Sequence, residues 1–152
     1  DKLQYLEMCL QESLRLYSPI PVITRTVAKD VQLEKPDLFL KKGMMVLIMM
    51  GVIHRDPDYW ESPTEFKPER FQKRGSASIR NGFLPFAYGA RTCIGKSLAM
   101  MEAKIMIAQL LRRFHVDPVA DFRLKIRSGV SLIADEVLVR FETLVGKGEA
   151  QK

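Results

Sequence analysis

Leu3, Leu6, Leu10, Leu14 and Tyr17 recur at three- and four-residue spacing, the apolar stripe of an amphipathic helix. Ser18-Pro19 and Pro21 end it, so the predicted first helix runs to about Tyr17. Ile20 to Val27, Val31 to Leu33 and Met44 to Met50 are rich in β-branched or apolar residues and are separated by turn formers at Asp30, Lys35-Pro36-Asp37 and Lys42-Gly43. They read as a small sheet. From Gly51 to Gly95, prolines at 57, 63, 68 and 85 and glycines at 75, 82 and 89 leave room for at most a helical turn or two near Asp58 to Glu61. A loop of that length in a compact domain is usually functional. Lys96 to Arg113 contains no Gly or Pro and is apolar nearly all round, which predicts a long buried helix. Phe114 to Val116, Phe122 to Ile126 and Val137 to Phe141 then alternate like strands and predict closing hairpins.

The composition of these 152 residues, 47% hydrophobic and 28% charged, with a mean hydropathy of -0.07, is that of a globular chain and excludes disorder and a polytopic membrane protein. The longest apolar stretch, Met44 to Ile53, is too short to span a bilayer. The chain opens at Asp1 without an initiating Met, inside the first helical pattern, and so reads as a fragment. Residues 1–145 are expected to form one folded unit and 146–152 a flexible tail. Lys and Arg exceed Asp and Glu by 24 to 18, a net charge of +6, which admits an anionic partner. The cations are scattered in ones and twos, so nucleic acid is not expected. Cys9 and Cys93 are far apart and lack a C-x-x-C partner, which argues against a disulfide scaffold or zinc site.

Cys93 lies in the run Phe86-Ala-Tyr-Gly89-Ala-Arg91-Thr-Cys93-Ile-Gly95, just ahead of the long helix. A thiol there faces helix-terminal N–H groups and a cation, which favour the thiolate. Gly89 and Gly95 let the backbone approach something flat or bulky, and Arg91 offers a forked donor for a carboxylate. A sulfur ligand, a carboxylate clamp and a close backbone together suggest haem; an inert, buried cysteine is the structural alternative. Cys9 is read as such an inert thiol.

The run is similar to the haem-binding signature F-x-x-G-x-R-x-C-x-G of the cytochrome P450 family, and every fixed position from Phe86 to Gly95 matches. Glu12-Ser-Leu-Arg15 resembles the E-x-x-R of that family's K helix, and Phe66-Lys-Pro68-Glu69-Arg70-Phe71 resembles its P-E-R-F meander motif. His54-Arg55-Asp56-Pro57 with Trp60 is similar to the family's H-R-D-P-x-x-W segment, and His54 is expected to be structural. The resemblance implies a mixed α+β fold, mainly α in the parent, of which this chain is the C-terminal part: E-x-x-R helix, small β-sheet, meander, cysteine loop, long buried helix and terminal β-hairpins. It implies haem b, iron protoporphyrin IX, with Cys93 as axial ligand and Phe86, Gly89, Arg91 and Gly95 around it. Arg25, in a family-like P-x-x-x-R arrangement from Pro21, is implied to share the haem propionates with Arg91. Helical spacing places Glu12 and Arg15 opposite the leucine stripe, hence exposed; the resemblance instead buries them against Arg70. The second reading is adopted because Met8, Cys9 and Leu16 make that face partly apolar.

By the same resemblance, the function is haem-thiolate monooxygenation of a lipophilic small molecule, with an NADPH-dependent flavoprotein reductase as electron donor. A haem-thiolate isomerase or dehydratase, or a truncated non-catalytic product, is the alternative. No residue here is a convincing general acid or base for proton delivery; the family carries that pair on a distal helix outside these residues. Arg91, where many bacterial relatives carry His, points to a microsomal type at the cytoplasmic face of the endoplasmic reticulum membrane, held by an N-terminal anchor absent here. Substrate contacts are expected from Pro21, Val22, Ile23 and Thr24 and from Gly129, Val130, Ser131 and Leu132. Lys73, Arg74, Arg80 and Lys96 are expected to face the reductase.

Overall fold

The computed structural model describes residues 3–34, 37–73, 75–129 and 131–144. Helix α1 (Gln4–Leu16) ends at Tyr17, whose N–H closes on the Ser13 carbonyl before Pro19. Strand β1 (Ile23–Thr26) pairs antiparallel with β4 (Met45–Ile48), Ile23 opposite Ile48 and Thr26 opposite Met45. Between them β2 (Val31–Gln32) pairs with β3 (Phe39–Leu40). The small sheet of the sequence reading is therefore two separate ribbons among the described residues, and β3 is a strand the pattern had not marked.

The proline-rich stretch holds more helix than its composition suggested: α2 (Met50–Ile53), a 3-10 turn at Pro68–Phe71, α3 (Ala77–Gly82) and a 3-10 turn at Gly89–Arg91. Pro68 opens its turn, where its missing N–H costs nothing, and the Ser76 hydroxyl caps α3 by accepting from the Ile79 N–H. The expected turn near Asp58 is present as Tyr59 and Trp60 N–H groups donating to the Asp56 carbonyl.

Helix α4 (Lys96–Arg113) has the predicted span and not the predicted burial. None of its residues is buried, and Leu98, Met101, Ile105, Met106, Leu110 and Leu111 are all exposed. An all-round apolar pattern states what a helix requires of its surroundings, and among the described residues α1 packs against α4, with Lys104 Nζ 3.4 Å from Glu7 Oε2. Beyond α4, β5 (Phe114–Pro118) pairs with β8 (Val139–Thr143), and between them β6 (Ile126–Ser128) forms a hairpin with β7 (Leu132–Ala134). The expected strand at Phe122 to Ile126 survives only as Ile126, because Asp121 at φ +59° and the Phe122 N–H bonded to the Val119 carbonyl turn the chain there.

The packed centre lies between α1, α2, the Pro68 turn and α3. Leu16, Met50, Trp60 and Phe71 are its buried apolar members, and Glu12, Arg15, Ser18 and His54 are buried with them. The Phe71 and Phe83 rings meet at 4.8 Å, Trp60 and Phe71 at 5.8 Å. A Cβ at Gly82 would lie 2.9 Å from Tyr59 Cβ and 3.1 Å from Trp60 Nε1, so only glycine lets α3 close on this cluster.

Candidate haem-thiolate site

One turn of α1 carries both Glu12 and Arg15, and both are fully buried. Arg15 Nε is 2.8 Å from Glu12 Oε2 and the second guanidinium nitrogen 2.9 Å from Oε1, a bidentate pair. Arg70 Nε reaches Glu12 Oε1 at 3.0 Å and the Lys67 N–H donates to the same oxygen at 2.8 Å. Arg15 also donates to the carbonyls of His54, Pro63 and Glu65, and Arg70 to that of Glu61. Burial pushes the Glu12 carboxyl upward, but hydrogen bonds from Arg15, Lys67 and Arg70 with the Arg15 charge hold it below the usual carboxylate value. Both guanidinium groups stack on Trp60, at 5.2 and 5.8 Å from its ring. The exposed position that helical spacing assigned to Glu12 and Arg15 is not what they occupy: the meander loop covers that face of α1.

His54 extends this network toward the cysteine loop. Its Nε2 accepts the Leu84 N–H at 2.8 Å, and its ring packs on Phe83 at 5.7 Å. Burial, assisted by the charges of Arg15 and Arg55, lowers its pKa from 6.5 to about 4.

The loop itself is closed by the Cys93 N–H bonded to the Phe86 carbonyl at 2.9 Å, with Thr92 N–H on Gly89 at 3.1 Å. Gly89 has φ +76° and open space where a Cβ would stand, so it supplies the left-handed turn as well as room above it. Cys93 is exposed and Cys9 half-buried, with burial first among the causes raising the Cys9 thiol. Gly95 caps the start of α4, and its missing Cβ faces Cys93 Sγ at 3.9 Å.

Cys93, Arg91 and Arg25 border one cleft of about 370 Å³, otherwise lined by Leu14, Pro19, Ile20, Ile23, Met50, Pro85, Phe86 and Ala87. A thiol and two guanidinium groups on an apolar wall match the donors that a flat, apolar macrocycle with two carboxylates requires, so the residues fit haem. Of the eight expected substrate contacts, Ile23 lines the cleft. Pro21 and Val22 are half-buried and Thr24 is exposed. Gly129, Ser131 and Leu132 form the β6–β7 turn, where the Gly129 N–H meets the Ser131 carbonyl. The Leu132 N–H on the Pro19 carbonyl at 2.7 Å ties the start of β7 to the chain two residues ahead of the other stretch. Val130, Arg74 and the 146–152 tail lie outside the described residues. Leu14, Ile20 and Met50 were not singled out in sequence; Leu14 belongs to the apolar stripe of α1, and nothing local distinguishes it there. Arg80 and Lys96 border a second groove beside the same loop, with Phe86, Ala87 and Tyr88. Lys73 is exposed.

The family model described as Cytochrome P450 matches residues 1–140. The chain is 36% identical over 127 residues to Cytochrome P450 3A29 of Sus scrofa, covering 83% of this chain and 25% of that protein. It is 40% identical over 141 residues to Cytochrome P450 4A11 of Homo sapiens, covering 87% and 27%. Taurochenodeoxycholic 6 alpha-hydroxylase of Sus scrofa is 40% identical over 119 residues, covering 78% and 23%. The chain thus spans about a quarter of the length of these curated relatives. Among solved structures, the cytochrome P450DA heme domain superposes with a TM-score of 0.82 at 27% identity, over 91% of this chain and 31% of that one.

Proposed function

The chain belongs to the cytochrome P450 family and carries the C-terminal part of its fold, and on that footing we propose that it supplies the thiolate side of a haem monooxygenase acting on a lipophilic small molecule. The observation that carries this reading is the placement of Cys93, Arg91 and Arg25 on one apolar cleft. When bound there, haem supplies the electron and dioxygen chemistry by which one oxygen atom enters an unactivated substrate bond. Cys93 Sγ would hold the haem iron. Arg91 and Arg25, on the same cleft, would donate to the two haem propionates. Leu14, Pro85 and Phe86 give the cleft apolar walls beside the thiol, and Gly89, with open space where a Cβ would stand, would permit a close backbone approach.

Glu12, Arg15 and Arg70 serve this site by fixing the meander against α1. Ile23 and its neighbours Pro21, Val22 and Thr24, with the Gly129 to Leu132 turn, are proposed to wall the substrate region; a relative named for hydroxylating taurochenodeoxycholic acid supports a lipophilic substrate. The electron donor is proposed to be an NADPH-dependent flavoprotein reductase docking on the outer side of the cysteine loop. Placement at the endoplasmic reticulum membrane is proposed from the 3A and 4A relatives; among the described residues no helix is long and apolar enough to cross a bilayer.

The test is turnover of the haem-loaded, full-length protein under isotopically labelled dioxygen. One labelled oxygen in the product and consumption of NADPH are expected. Product formed without dioxygen uptake would assign the isomerase or dehydratase chemistry instead.

A further inference from the structure

His54 is fully buried, and its ring has one hydrogen-bonding nitrogen engaged and one idle. Nε2 accepts the Leu84 N–H at 2.8 Å, whereas Nδ1 has no partner among the described residues. Since Nε2 receives a proton, the neutral ring carries its own hydrogen on Nδ1, an unmatched buried donor. An apolar residue of the same size would avoid that penalty, so the acceptor at Nε2 is what the imidazole contributes here. Leu84 stands at the mouth of the cysteine loop: its carbonyl receives the Ala87 N–H, and the next carbonyl bond, from Phe86, closes on Cys93. On the other side, the His54 main-chain carbonyl takes an Arg15 N–H at 2.7 Å. One residue therefore joins the buried ion network to the segment that aims the thiol.

We propose that His54 is a positioning residue for the cysteine loop, holding the Leu84 N–H through Nε2 and so transmitting the order of the Glu12–Arg15–Arg70 network to Cys93. A protonated ring would have no lone pair for Leu84 and would set two N–H donors face to face. The charged groups about it are Arg15 of α1 and Arg55 of its own turn and, beyond Arg15, Glu12 of α1 and Arg70 of the meander. Three are cations, and the Glu12 carboxylate is already engaged by Arg15, Arg70 and the Lys67 N–H. Protonation of His54 thus opens the loop in acid. Only the spectroscopic arm of the test rests on Cys93 as haem ligand.

The experiment compares the haem-loaded protein carrying this sequence with His54→Leu and His54→Gln. Glutamine keeps an acceptor near Nε2 and does not titrate; leucine keeps bulk and offers no acceptor. At pH 7.5 the Leu84 amide of His54→Leu is expected to exchange with deuterium about tenfold faster or more than wild type, with His54→Gln close to wild type. On lowering the pH from 8 to 4, wild type is expected to lose its thiolate-type reduced carbon monoxide band while His54→Gln retains it. Wild-type Leu84 exchange in His54→Leu, equal deprotection in both variants, or an identical acid loss in wild type and His54→Gln would each overturn the proposal. Should His54→Leu not fold, Leu84 protection in His54→Gln supports the proposal and its loss overturns it. A wild type lacking the thiolate-type band at pH 8 but showing the expected exchange pattern would refute the Cys93 reading and leave His54 in its role.

Discussion

Ala87 holds φ +60°, one residue past the bulky Phe86 and two before Gly89, in a region where a Cβ is strained. Ala87→Gly is expected to relieve that strain and gain about 1 kcal/mol in chemical denaturation, less the extra freedom glycine brings to the unfolded chain. A loss of stability would show that the loop tolerates Ala87 without cost. His54 sets a second residue-scale expectation. Its pKa is lowered from 6.5 to about 4 in the fold, so folding disfavours its protonation. Its contribution to stability is complete above pH 6.5, declines as the pH falls toward 4 and is level below that, amounting to about 3 kcal/mol. Glu12, also lowered, adds a loss that continues below pH 4.5. Denaturation midpoints between pH 8 and 4 should fall in wild type and fall less in His54→Gln.

Among elements, α1 matters through its polar face. Glu12 pairs with two guanidinium groups that both also hold meander carbonyls. Glu12→Ala is expected to cost roughly 3–5 kcal/mol, because it strands buried Arg15 without its anion, and to yield haem-poor protein. Normal haem content and melting in Glu12→Ala would contradict this. The spans of α1 and α4 were legible in the spacing of Leu3 to Tyr17 and in the Gly- and Pro-free run from Lys96. The burial of Glu12, which the resemblance implied, was not legible in the spacing, because helical periodicity sees one helix and its apolar stripe, and what covers the opposite face is a loop about 50 residues on, held largely through main-chain carbonyls that carry no side-chain signal. The expected burial of α4 failed for the converse reason: an apolar surface is a demand, which the described residues meet only in part, α1 among them. The β5–β8 pairing, across an intervening hairpin, likewise depends on long-range register that local alternation does not encode.

For the molecule as a whole, the net charge of +6 bears on the choice of partner. Arg80 and Lys96 border the second groove beside the cysteine loop, together with Glu7, and Lys73 is exposed. Reversing all three to Glu is expected to slow reductase-supported turnover and flatten its dependence on salt, since exposed charges act over a Debye length of about 8–10 Å. Peroxide-driven turnover should be spared; equal loss of both would place docking elsewhere. Cys93, Arg91 and Arg25 were each singled out from sequence spacing together with family resemblance, while the one cleft that joins them required the fold. The most direct measurement is the reduced carbon monoxide difference spectrum of the full-length protein, wild type against Cys93→Ala and Cys9→Ser. Wild type and Cys9→Ser are predicted to show the strongly red-shifted Soret band of thiolate-ligated haem and Cys93→Ala to lack it. Retention of that band in Cys93→Ala would contradict the assignment of Cys93 as the ligand.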